Sequence, residues 1–130
     1  MPKTESVFKG EFVVLEGDFL PQGAVQIGSY VHVQKARFYQ HKLDLIFAGS
    51  NLATKYLQNE VFLLEGLKSE DVKVHFNVHF DPAKGDVTSI DIGEAINKEI
   101  EAAINTTGSV LDSIVIDKES IQIQGTERFF

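Results

Sequence analysis

Between Glu70 and Pro82 the chain alternates without a break: Val72, Val74, Phe76, Val78 and Phe80 fall in one phase, and Lys73, His75, Asn77, His79 and Asp81 in the other. Strand side chains repeat every two residues, so the apolar set buries one face while the polar set leaves the other wet. This is the pattern of an antiparallel sheet covered on one side only. Helices must supply the cover, and the flanking segments carry helical periodicity on both sides of the strand.

The elements read in the order β-α-β-β-α-β. Val7 to Glu16 is the first expected strand, with Phe8, Gly10, Phe12 and Val14 on one side; Gly17, Asp18, Pro21 and Gly23 then break it. Ser29 is placed to cap a helix whose apolar stripe runs through Val33, Ala36, Tyr39, Leu43, Ile46 and Phe47, and Gly49 ends it. Ser50 and Asn51 offer caps for a short further turn through Leu52, Ala53, Tyr56 and Leu57. Val61 to Leu64 form the second strand, which stops at Gly66, and Leu67 to Asp71 turn it into the alternating strand as a hairpin.

After a loop from Pro82 to Ser89, Ile92, Ala95, Ile96, Ile100, Ala103 and Ile104 trace an amphipathic helix. Thr88 with Asp91, or Asp91 with Glu94, can form a capping box at its start, and Asn105 to Gly108 closes it. Ile114 and Ile116 share a phase, as do Ile121 and Ile123, but the step between the pairs would switch faces. Asp117 to Ser120 is therefore expected to interrupt the last strand. The fold class is α+β: a ferredoxin-like sandwich in which a four-stranded antiparallel sheet carries two main helices on one face.

The chain of 130 residues suits one domain, over 7–125. Residues 1–6 read as a polar leader of the kind carried by a piece cut from a longer protein for expression, and 126–130 as a tail. Nineteen acidic against twelve basic residues, with no basic cluster, give a net charge of -7, which argues against nucleic acid and anionic membranes as partners. No run approaches the ~20 apolar residues of a membrane span, so direct membrane insertion is not expected. The absence of cysteine excludes disulfides, thiolate metal sites and cysteine nucleophiles.

Reactive groupings are equally sparse. His75 and His79 share the wet face about 13 Å apart, too far for one metal ion, and read as surface histidines. His32 and His41 lie nine residues apart on the first helix, off any common turn. No metal or cofactor is expected. The candidate serines sit in turns or caps, so no Ser-His-acid set assembles, and the isolated glycines mark element boundaries, leaving no phosphate cradle. An RNA-reading sheet would show aromatic and basic residues where this one shows Lys, His, Asn, His and Asp. An acylphosphatase would need an arginine in an anion cradle, and Arg37 within a helix and Arg128 in the tail are poorly placed for that.

Three stretches in this order resemble the SEA domain, the extracellular module named for sperm protein, enterokinase and agrin and found in mucins and in the stems of membrane-anchored serine proteases. Phe8 to Phe19 is similar to that family's opening strand. Leu45 to Val61 resembles its helix and the tyrosine and valine that follow. Phe80 to Gln124, with the Asp81-Pro82 exit, the isoleucine-rich helix, a sequon and Ile116-Asp117-Lys118-Glu119-Ser120-Ile121, resembles its end. The resemblance rests on order and spacing and covers most of the chain. It implies a non-catalytic stem or spacer on the cell surface or in a secreted glycoprotein, whose parent chain can be a serine protease.

The implied partners are neighbouring domains of the parent, with carbohydrate or extracellular proteins as further candidates. It also gives Asn105, in Asn105-Thr106-Thr107, the role of a glycan acceptor. Some members of the family cut themselves between glycine and serine in the turn before the third strand. The corresponding turn holds Ser69, Glu70 and Asp71 with Lys68 in place of glycine, so self-cleavage is not expected and no catalytic residue is assigned. The alternative from a different class is an intracellular ferredoxin-like domain that binds a protein or small ligand.

Overall fold

The computed structural model describes residues 5–105, 110–111 and 113–126. Its elements are β1 Ser6–Glu16, β2 Gly23–Ala24, α1 Tyr30–Ala48, β3 Tyr56–Gly66, β4 Val72–Phe80, α2 Ser89–Asn105, β5 Val115–Ile116 and β6 Gln122–Thr126. Single 3-10 turns occupy Pro82–Lys84 and Lys118–Ser120.

The sheet runs β2-β3-β4-β1-β5, with β6 also on β1, and each of these pairs is antiparallel. β6 pairs with residues 7–11 of β1 and β5 with its far end from Val14 to Glu16, so the two are halves of one outer strand. The expected α+β sandwich is present, with both helices on one face of the sheet. Phe8, Phe12 and Val14 of β1, the apolar phase of β4, and the inner residues of α1 and α2 form one buried cluster. The alternation that singled out β4 is realised residue by residue: Val72 to Phe80 alternates buried and half-buried positions along its whole length.

Helix α1 begins at Ser29 as expected. The Ser29 hydroxyl accepts a bond from the His32 amide at 3.2 Å, satisfying a first-turn donor that the helix itself cannot. The buried stripe is His32, Ala36, Tyr39, Leu43, Ile46 and Phe47, and Val33 lies outside it at the surface. The spacing from position 32 follows the 3.6-residue turn more closely than a start at 33, and the Gly28 amide bonds His32 Nδ1 at 3.4 Å. Helix α2 carries the capping box in full: the Thr88 amide donates to Asp91 Oδ2 at 2.9 Å and the Asp91 amide to Thr88 Oγ1 at 3.2 Å.

Beyond Val33, four details depart from the sequence reading. Tyr56 and Leu57 open β3 instead of a helical turn, because the Tyr56 ring packs on Phe47 and Phe80 at 5.5 and 6.1 Å and its hydroxyl donates to Asp44. Gly23 and Ala24 add a short strand at the β3 edge. β1 starts one residue early, at Ser6. Ile104 is 78% exposed, since the last turn of α2 has run past the core. The closing residues 106–108 of that helix lie outside the described residues.

The interruption of the last strand is where it was expected. Asp117 Oδ1 accepts from the Glu119 amide at 3.1 Å, capping the 3-10 turn, and β6 resumes in the opposite phase. Lys118 in this turn donates to Glu101 of α2 at 2.7 Å and holds that exposed carboxyl below its usual range.

Candidate functional site

The uncovered face of the sheet gathers most of the described histidine and glutamate pairs. β4 contributes Lys73, His75, Asn77 and His79; β1 and the residue before it contribute Glu5, Lys9 and Glu11; β3 contributes Glu60, Phe62 and Glu65. Each β4 histidine lies between two carboxylates from opposite neighbouring strands. His79 Nδ1 meets Glu5 Oε1 at 2.8 Å and its Nε2 meets Glu60 Oε1 at 3.2 Å. His75 Nε2 meets Glu65 Oε1 at 2.7 Å, and its Nδ1 lies 3.7 Å from Glu11 Oε1. Glu11 in turn pairs with Lys73 at 3.1 Å.

Both histidine side chains are only about one-seventh exposed, at 14% and 15%. A short antiparallel pairing explains this. Glu11 stands directly opposite His75, and Glu5, Glu60 and Glu65 reach the histidines diagonally, within range of long side chains. A bulge between Val61 and Leu63 sets the extra residue, Phe62, beside His75 at 6.1 Å between ring centres, and Lys9 lies over the Phe62 ring at 5.5 Å. The face is thus a lattice of groups that pair across three strands.

The geometry limits its chemistry. The two carboxylates around each ring sit on opposite nitrogens, so they cannot converge on one ion, and no group of three metal-ligating side chains forms among the described residues. Only His79 has both ring nitrogens within hydrogen-bonding distance of a carboxylate; the 3.7 Å separation of His75 Nδ1 from Glu11 is too long for one. The arrangement braces strands and presents a patterned polar surface.

The turn Ser69-Glu70-Asp71 is fully described. The Glu70 amide donates to the Leu67 carbonyl at 2.8 Å and the Leu67 amide to the Asp71 carbonyl at 2.9 Å, while the Ser69 hydroxyl donates to Asp71 Oδ2 at 2.9 Å. Glu70 adopts φ 71°, the left-handed region, even though it carries a side chain. The Leu20 amide donates to its carbonyl at 3.1 Å and helps hold it there. Asn105 is the last residue of α2, and Thr106 and Thr107 of its sequon lie outside the described residues.

The helix histidines diverge as expected. His41 is exposed, whereas His32 is buried, with no partner for Nε2 among the described residues. An apolar recess of about 330 Å³ lies between Ile100 and Ile104 of α2 and Ile114 and Val115. A polar one of about 280 Å³ lies between Ser50 and Asn51 after α1 and Asp91, Glu94 and Lys98 of α2.

The glutamate partners of His75 and His79 were missed from sequence. The phase of β1 gave Glu11 a place opposite its buried side chains, but which strand lay beside which was needed to pair it. No described helix is long and apolar enough to cross a membrane. Compared with protein-family models and with curated protein sequences, the chain matches none.

Proposed function

We propose that the chain is a non-catalytic extracellular module of the SEA type, acting as a spacer and interaction domain in a membrane-anchored or secreted glycoprotein. The observation that carries this reading is the cross-strand lattice on the open sheet face. Glu5, His79 and Glu60, and Glu11, His75 and Glu65, are engaged with one another in two bridging sets. Such a face suits rigid display and surface contact more than turnover, which needs groups aimed at a substrate. The position of Asn105 at the end of α2 supports the extracellular part, since a glycan there would start from a helix terminus. The turn at Ser69 supports the non-cleaving part: its hydroxyl is bonded to Asp71, it follows Lys68 instead of glycine, and the turn holds no Gly-Ser pair.

Secretion from eukaryotic cells tests the reading. The expected result is secreted protein whose mobility shifts on glycosidase treatment, with the shift abolished by Asn105→Gln, and an uncut chain on a denaturing gel after folding at neutral pH. Retention of the chain without a glycan would overturn the extracellular assignment, and two fragments divided near Ser69 would overturn the non-cleaving one.

A further inference from the structure

Helix α1 is apolar on two sides. Its inner side is the buried stripe from His32 to Phe47, but Val31, Phe38 and Leu45 lie on the outside, 45%, 40% and 43% exposed. They are spaced seven residues apart, and Gln34, His41 and Ala48, all exposed, stand three residues after each. That is the a/d spacing of a helix seam, two turns per repeat over the whole element. The outer side of α2 differs, with Glu94, Lys98 and Glu101 exposed along it.

The flanking charges choose the occupant. On one flank of the stripe stand Arg37 and Asp44, both exposed. Arg37 has no ion pair among the described residues, and Asp44 receives both the Tyr56 hydroxyl and the Asn59 amide on Oδ1, leaving Oδ2 without a bond among them. A second copy packed parallel would set Arg37 against Lys42, a like-charge contact. An antiparallel copy sets Arg37 against Asp44 twice, once on each side of the two-fold axis. On the other flank Lys35 and Lys42 would approach each other. Lys35 is already neutralised by Asp18, so Lys42, which keeps its charge while it donates to the Val110 carbonyl at 2.8 Å and lies over the Phe38 ring at 5.3 Å, meets a compensated partner there, a weaker repulsion than the bare Arg37–Lys42 contact of the parallel packing.

We propose that the outer face of α1 is a self-association surface, on which two copies of the chain pack antiparallel through Val31, Phe38 and Leu45, with Arg37 of each copy against Asp44 of the other. The inference stands independently of the spacer reading. Polar residues at two of the seam positions, Gln34 and His41, keep the dimer weak and reversible, with a dissociation constant on the order of 100 μM.

Sedimentation of the full chain from about 10 μM to about 1 mM reads this directly. Expected is a monomer–dimer equilibrium that Phe38→Glu abolishes. Arg37→Asp alone and Asp44→Arg alone each weaken it by about tenfold or more, because each puts like charges in contact. Mixing these two variants restores association, since the mixed pair regains both attractive contacts. Arg37→Asp removes no described bond within its own chain, so it keeps the test standing if Asp44→Arg disturbs Tyr56; circular dichroism checks the fold of each variant. A monomer throughout the range, or a dimer unmoved by Arg37→Asp and Phe38→Glu, overturns the proposal.

Discussion

The backbone amide of Val13 donates to the Ser120 hydroxyl at 2.8 Å, across 107 residues of sequence. Val13 lies where β1 loses its outer neighbour, between the β5 and β6 halves of the split strand. Its carbonyl accepts from the Asp117 amide at 2.8 Å, and the Ser120 hydroxyl also donates to the Asp117 carbonyl at 2.6 Å. A side chain thereby closes the gap that the 3-10 turn opens in the ladder. Ser120→Ala should destabilise the fold by about 1–2 kcal/mol, because it leaves a partly buried donor unpaired. Urea midpoints measure the loss, and hydrogen exchange at the Val13 amide should accelerate. An unchanged midpoint would show that water replaces the hydroxyl without cost.

Gly66 ends β3 for a reason its position in the sequence conceals. A Cβ at this residue would lie 2.0 Å from the Pro21 carbonyl oxygen and 2.6 Å from that of Leu20. Both contacts are backbone, so no side chain can swing aside. Gly66→Ala should cost more than about 2 kcal/mol, or prevent folding, through displacement of the Leu20–Pro21 segment from the sheet edge. Thermal unfolding of the variant measures this, and a melting temperature equal to that of the parent would refute the close approach.

Glu70 is the opposite case, a side chain where glycine would fit. Its φ of 71° disfavours a residue with a Cβ, whereas glycine reaches that region freely. Glu70→Gly should therefore leave stability unchanged or raise it by up to about 1 kcal/mol, the strain relieved exceeding the extra freedom of the unfolded chain. Glu70→Val should lower it. The order of the three urea midpoints is the measurement, and a glycine variant less stable than the valine variant would contradict the turn geometry.

The Tyr39 hydroxyl donates to Asp18 Oδ2 at 2.7 Å beneath α1, with Lys35 on the other carboxylate oxygen. Burial, then the bond to Asp18 and its charge, push the Tyr39 phenol well above its ordinary value near 10. The unfolded chain therefore loses this proton first, so the native state is favoured below pH ~10 and loses that advantage as pH rises beyond it. The stability difference between the parent and Tyr39→Phe should be constant from pH 7 to about 9 and then shift against the parent by up to about 1.4 kcal/mol per pH unit. Denaturation curves across pH 8–11.5 measure it. A difference that stays flat to pH 11.5 would mean that Tyr39 ionises alike in both states.

Much of the fold was legible because it rests on local period. The alternation of β4, the stripes of both helices apart from Val33 and Ile104, the Ser29 cap and the Thr88–Asp91 box depend on residues close in sequence, and each is realised. The mismatch of phase between Ile114–Ile116 and Ile121–Ile123 likewise exposed the break in the last strand at Asp117 to Ser120. Tyr56 misled, because its helix-compatible spacing yielded to ring packing against Phe47 and Phe80 from distant elements.

The amino-acid order by itself determined the succession of elements, the face each one buries and the acidic, cysteine-free character of the surface, since these follow from side-chain period and charge. Tertiary structure decided what stands beside what. Only the adjacency of β1, β4 and β3 brings Glu5, Glu11, Glu60 and Glu65 to the two histidines, and only the approach of Leu20 and Pro21 makes Gly66 indispensable. The physical reason is range: periodicity acts over a few residues, whereas cross-strand pairing and backbone contact join positions tens of residues apart, whose register no local pattern encodes.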